Sequence, residues 1–138
     1  MLSDPNTFVF TISVEGEQTG ETFRGKFVAK LRLTHREQLI QDRQRRTLLG
    51  DKPEHASIRC LNQAEIFSEL ATRIVDAPSW WKDSDGGLEL VDDDVVGAVY
   101  SELSKKIRED EEQRQKKLEE AKKDLQEVEI SVDEEDEG

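Results

Sequence analysis

The chain has 138 residues, 34% apolar and 38% charged, with a formal net charge of −12 and a pI near 4.6. That length holds one modest domain, and its acidity argues against general nucleic-acid binding, because phosphate backbones repel such a surface. The single cysteine, Cys60, excludes an intrachain disulfide framework, and no apolar run reaches the ~20 residues of a membrane-spanning helix. The N-terminus lacks the basic and apolar regions of a signal peptide, so a soluble cytoplasmic protein is expected.

Phe8, Phe10, Ile12 and Val14 alternate with Val9, Thr11 and Ser13, the pattern of a half-buried strand. The polar stretch Glu15 to Gly20, with two glycines, reads as a hairpin loop. The returning strand is expected over 21–33, with Phe23, Phe27, Leu31 and Leu33 on one face and Arg24, Lys26, Lys30 and Arg32 on the other. A lone hairpin is marginal in water, so its aromatic face must pack on helices or on another chain.

Thr34-His35-Arg36-Glu37 has capping-box spacing, which predicts a helix from there towards a stop at Gly50. A second helix is predicted over 57–75, with Leu61, Ala64, Phe67, Ala71 and Ile74 as its apolar stripe. Pro78 separates it from the segment that holds both tryptophans, Trp80 and Trp81. Asp92 is placed to cap a third helix, whose buried stripe is Val95, Val96, Val99, Leu103 and Ile107. Beyond that the chain is highly charged: from Ser104 to Gly138 there are 8 Lys+Arg against 14 Asp+Glu. The fold class is therefore α+β: an N-terminal β-hairpin packed on a small helical domain, a long charged C-terminal helix and a disordered acidic tail. The expected divisions are 1–107 for the core, 108–130 for the charged helical extension and 131–138 for the acidic tail.

The adjacent indoles are the leading interaction feature. Each carries a large apolar surface and an N–H needing a partner, and indole is enriched where proteins bind proteins. Trp80 and Trp81, supported by Leu88, are the expected partner anchors. The competing reading has one indole closing the small core between the second and third helices, and a split is expected, with one ring buried and the other partly exposed. A basic run over 24–46 sets eight Lys/Arg against Glu37 and Asp42. Arg24, Lys26, Arg32 and Arg43 are taken from it as secondary partner contacts. The alternatives are an internal partner for the acidic tail, an RNA surface, or a solvated face.

No catalytic or metal signature emerges. Asp83-Ser84-Asp85-Gly86 has part of an EF-hand spacing, but Trp81 occupies the first ligand position and the shorter Asp92 the last, so a glycine turn accounts for it better. His35 and His55 have no ligand-spaced neighbours, and Cys60 lacks a convincing base. Neither an enzyme, nor a metal, nor a cofactor is expected.

Arg73 to Pro78, then Ser79-Trp80-Trp81-Lys82-Asp83-Ser84-Asp85-Gly86-Gly87-Leu88, then Leu90-Val91-Asp92 leading into a helix, resemble the tail assembly chaperones of long-tailed bacteriophages. The hairpin and the helix opened by Leu33-Thr34-His35-Arg36-Glu37 resemble them too, so that the likeness covers roughly 8–107. The resemblance implies a non-enzymatic factor in the cytoplasm of the infected bacterial host, absent from the mature virion. Its implied work is to bind the tape-measure protein, keep it soluble and help recruit the tail-tube protein. Self-association stays open, and neither a membrane nor nucleic acid is an expected partner. The rival readings are a structural virion component, either a head–tail connector or a tail-completion protein, and a nucleic-acid-binding regulator that uses the basic face.

Overall fold

The computed structural model describes residues 6–50 and 53–137, with side chains for 6–50 and 54–126. It is an α+β fold. Strands β1 (Thr7–Glu15) and β2 (Thr22–Lys30) form the hairpin, in an antiparallel register that sets Thr7 opposite Lys30 and Glu15 opposite Thr22. Helix α1 (His35–Leu49) follows, then a 3-10 turn (Pro53–His55), then α2 (Ile58–Arg73). A short strand β3 (Ile74–Asp76) pairs antiparallel with β2 through an irregular register, giving the sheet order β1-β2-β3. A five-residue helix α3 (Ser79–Asp83) carries the tryptophans, and α4 (Asp93–Glu137) closes the chain.

The alternation of the hairpin decides its faces. Phe10, Ile12, Phe23, Phe27 and Ala29 are buried, whereas Thr11, Ser13, Arg24 and Lys26 on the other face are exposed. Successive strand side chains point to opposite sides, so one face becomes core and the other meets water. Gly25 lies in the core-facing row, and a Cβ there would stand 2.0 Å from the Pro78 ring. The missing side chain is what lets the segment entering α3 lie against β2.

Both helix starts are built as their sequences direct. Thr34 accepts the Glu37 N–H at 3.2 Å while Glu37 accepts the Thr34 N–H at 2.9 Å, closing the capping box. Ser57 caps α2 by accepting the Cys60 N–H. Gly50, with φ +83, ends α1. Helix α1 nevertheless buries none of its residues. It lies along α2 through half-buried polar side chains, and Arg45 reaches Glu65 of α2 at 3.8 Å.

A polar staple ties the elements of the core together. Arg73, at the end of α2, donates to the carbonyls of Lys30 and Leu31 at 3.1 and 2.8 Å and to Glu69 Oε1 at 3.1 Å. Glu69 Oε2 in turn accepts the Tyr100 hydroxyl of α4 at 3.2 Å. Charge-assisted bonds of this kind are stronger than neutral ones, and here they fix α2 to the strand that leaves the sheet.

Three expectations change. The helix expected over 57–75 ends at Arg73, and its last residues become β3. Its buried positions are Ala64, Ser68 and Leu70, while Leu61 and Ala71 are exposed. The carboxylate of Asp92, expected to cap a helix, holds the hairpin loop instead: it accepts the N–H of Gln18 at 2.7 Å, the N–H of Thr19 at 3.2 Å and the Thr19 hydroxyl at 2.6 Å. Asp94 beside it accepts the Glu17 N–H at 3.2 Å.

The chain divides into two compact units between Ser104 and Lys105. In the first, Val95, Val96, Val99 and Leu103 of α4 are buried, as their spacing predicts. In the second, residues 105–126 bury nothing fully, and Leu118 and Leu125 are exposed. The expectation of a disordered tail over 131–138 concerns residues outside those with described side chains.

Candidate functional site

The tryptophan segment is positioned by packing rather than by charge. Trp81 is only 4% exposed and meets Phe27 edge-on, with ring centroids 5.4 Å apart. Trp80 is half-buried, meets Phe23 and Phe27 edge-on at 5.0 and 5.8 Å, and donates its indole N–H to the Arg24 carbonyl at 2.8 Å. Edge-to-face pairs suit the ring quadrupoles, and the bond satisfies the polar end of Trp80. The turn after α3 closes over Trp81. Ser84, buried, donates its hydroxyl to the Trp81 carbonyl at 2.9 Å and accepts the Gly87 N–H at 3.2 Å. Gly87 has φ +88, and a Cβ there would stand 2.7 Å from the Trp81 ring.

Trp81 therefore does not offer itself to a partner as a free indole, which corrects its role as an anchor, while the pair shows the expected split of one buried and one half-buried ring. It instead forms part of the floor of an open hollow of about 390 Å³, with Phe67, Leu70 and Ile74 beside it and Leu88 on its rim. A second hollow of about 300 Å³ shares Phe67 and Leu88 and continues to Leu48, Ala64 and Leu90. The two adjoin at Phe67 and at Leu88, which is 41% exposed, and form a groove of mixed character, with Gln44, Asp76, Lys82 and Asp85 among the walls of the first hollow and Gln63 and Asp93 among those of the second. Val75, also exposed, lies along the first hollow.

At the rim of the first hollow Lys82 pairs with Asp76 at 2.8 Å, and Asp85 also lines it. The Lys82 ammonium, then the Ala77 N–H, hold the Asp76 carboxyl below its ordinary value. A rim charge of this kind orients a bound segment more than it tightens it. The groove can thus meet an amphipathic segment, with apolar contact at Phe67 and Leu88 and polar contact at its walls.

The basic residues are spread over several elements. Arg24 and Lys26 lie on the exposed face of β2, opposite the core. Arg32 follows β2, where its N–H is held by Asn6 at 3.0 Å. Arg43 is on α1, beside Arg46, Thr47 and Gly50. Other members of the run are already engaged: Lys30 with Glu37, Arg45 and Arg46 with Asp42. The Lys30 bond is the main reason the Glu37 carboxyl falls from 4.5 to about 2. Adjacency in sequence thus spreads over a strand, a connection and a helix; of the four, Lys26 acts on Asp76 at the rim of the first hollow, and Arg24 accepts the Trp80 indole N–H through its carbonyl.

Sequence reasoning missed Leu48, Phe67, Ile74 and Val75 as groove residues. Phe67 and Ile74 fit a helical stripe, which alone reads as core, but both are half-buried in the structure. Cys60 is exposed, and the described residues contain no cluster of three or more metal-ligating side chains. No family model, curated protein or solved structure significantly matches the chain.

Proposed function

We propose that this protein is a non-enzymatic phage tail assembly chaperone. It binds an apolar segment of the tape-measure protein, keeps that client soluble and helps recruit tail-tube subunits. The observation that carries the reading is the open groove across Leu88, whose apolar part is formed by Phe67, Leu70 and Trp81 between polar walls. A groove of this chemistry suits the apolar face of an amphipathic helix. The net charge of −12 adds repulsion between complexes, which keeps a shielded client in solution. Host cytoplasm is the compartment this reading needs, and no described helix is long and apolar enough to cross a membrane.

The test is co-expression with the tape-measure protein encoded beside this chain, followed by capture and assay of the soluble client. Replacing both tryptophans would remove core and test folding instead. Leu88→Asp puts a charge on the exposed rim and leaves the core intact. The expected result is a soluble complex with the unmodified chain and at least a severalfold loss of soluble client with Leu88→Asp. A client equally soluble with either chain would refute the groove as its site. Failure to capture any client would refute the chaperone reading.

One observation favours a second reading, a structural virion component. Strand β1 forms a nine-residue sheet edge suited to strand addition. Fixed stoichiometry of the chain in purified particles would favour that reading over a chaperone that leaves.

A further inference from the structure

Helix α1 has its apolar residues on the face that water sees. Its half-buried positions are Glu37, Gln41, Asp42, Gln44, Arg45 and Leu49, all polar but the last. Its other apolar residues are exposed, Leu39 by 71%, Ile40 by 53% and Leu48 by 39%. Its main packing partner is α2. Burial of apolar surface is the dominant favourable term in holding elements together, and α1 contributes little of it.

The polar ties of α1 gather at its first turn. Thr34 and Glu37 close the capping box, Glu37 pairs with Lys30 of β2, and the Gln38 amide donates to the Leu33 carbonyl at 3.3 Å. Further along, Arg45 reaches Glu65 of α2 at 3.8 Å, with both side chains partly exposed. An exposed pair at that separation contributes little. The weakly held end is the one beside the groove, where Gln44 borders the first hollow and Leu48 the second.

We infer that α1 is a hinged wall of the groove, moored at its first turn, whose end at Gln44 and Leu48 swings away from α2 and widens both hollows. Local opening costs least where few apolar contacts are buried, and water replaces the polar contacts that α1 gives up. A helix of 15 residues parted from its neighbour is marginal in water, so each opening exposes its amides. A wall that yields lets one groove admit apolar side chains of different sizes. That last consequence rests on the groove being the client's site, whereas the motion does not.

The test is native-state hydrogen exchange of the full chain, read at single amides. Protection over 41–49 is expected to lie at least about a hundredfold below that over 95–103 of α4, with residues 64–70 of α2 well above α1. A second measurement locks the wall. Arg45→Cys and Glu65→Cys on a Cys60→Ser background give one thiol pair, which a short bis-maleimide joins across α1 and α2 outside the lining of either hollow. Against the same chain left uncross-linked, the lock should raise protection over 41–49 about tenfold or more and lower capture of the co-expressed tape-measure protein severalfold. Equal protection in α1 and α4 would overturn the hinge. So would fast exchange that the cross-link leaves unchanged, since α1 would then fray in place. Undiminished capture by the locked chain would overturn the widening of the groove, while Leu88→Asp tests the groove itself. Should neither chain capture the client, the chaperone reading fails and the exchange measurements alone decide the hinge.

Discussion

At Gly87 two constraints coincide. Its φ of +88 lies where a side chain is strained, and a Cβ would come within 2.7 Å of the Trp81 ring, itself held against Phe27. Gly87→Ala is therefore expected to cost about 2–4 kcal/mol, from backbone strain and overpacking together. Thermal melts measure the loss, with tryptophan fluorescence following the displaced ring. Gly97 is the control: it is helical and exposed, and a Cβ there meets nothing within 4 Å. Gly97→Ala should stabilise by about 0.5–1 kcal/mol. If both substitutions shift the melt equally, the Trp81 contact is not what constrains position 87.

Among the elements, the hairpin and α4 are joined by the carboxylate of Asp92, which is 1% exposed. The Thr19 hydroxyl first, then the N–H groups of Gln18 and Thr19, lower its pKa from 3.8, while burial works against them. A carboxyl depressed on folding contributes stability above its unfolded pKa and loses it as pH falls through the folded value. The contribution of Asp92 is thus present above pH 3.8 and disappears below it. Asp92→Asn should lower the melting temperature at neutral pH and flatten its fall on the acid side. An unchanged acid limb would remove Asp92 as its cause.

Other element-level features were plainer in the sequence. The alternation from Phe8 to Val14, the Thr34–Glu37 box and the α4 stripe from Val95 to Leu103 each report a local geometry, and each is found in the structure. Strand β3 left no such signal, because three residues are too few to establish a period and Ile74 also fits the spacing of α2. Nor did the partner of Asp92, since a side chain's choice between its own helix and a distant loop is tertiary. The groove was half-visible: Leu88 and Trp81 stood out by type, but which apolar residues stay uncovered depends on how the helices lie. Helix α1 marks the limit. Its cap was readable, whereas the 71% exposure of Leu39 was not.

Over the whole molecule, the two compact units differ in what maintains them. The unit that ends at Ser104 has a layered core of strand aromatics, Trp81, Leu70 and the start of α4. From Lys105 to 126 the helix has charged pairs such as Arg114 with Asp110 at 3.3 Å and little apolar cover. Exposed pairs of this kind contribute little each and weaken with salt. Helix content should therefore be the salt-sensitive property of the second unit, and side-chain packing the property of the first.

The bond between Asp92 and Thr19 also joins positions 73 residues apart. Closing so long a stretch of chain carries an entropic cost that only an already assembled sheet and helix can offset. The latch is therefore expected to form after the rate-limiting step of folding, where a contact acts on how fast the native state is lost. Stopped-flow kinetics of Asp92→Asn should show faster unfolding and a nearly unchanged folding limb; a slowed folding limb would place the latch in the nucleus. On that outcome one carboxylate would act on the lifetime of the folded molecule more than on its rate of formation.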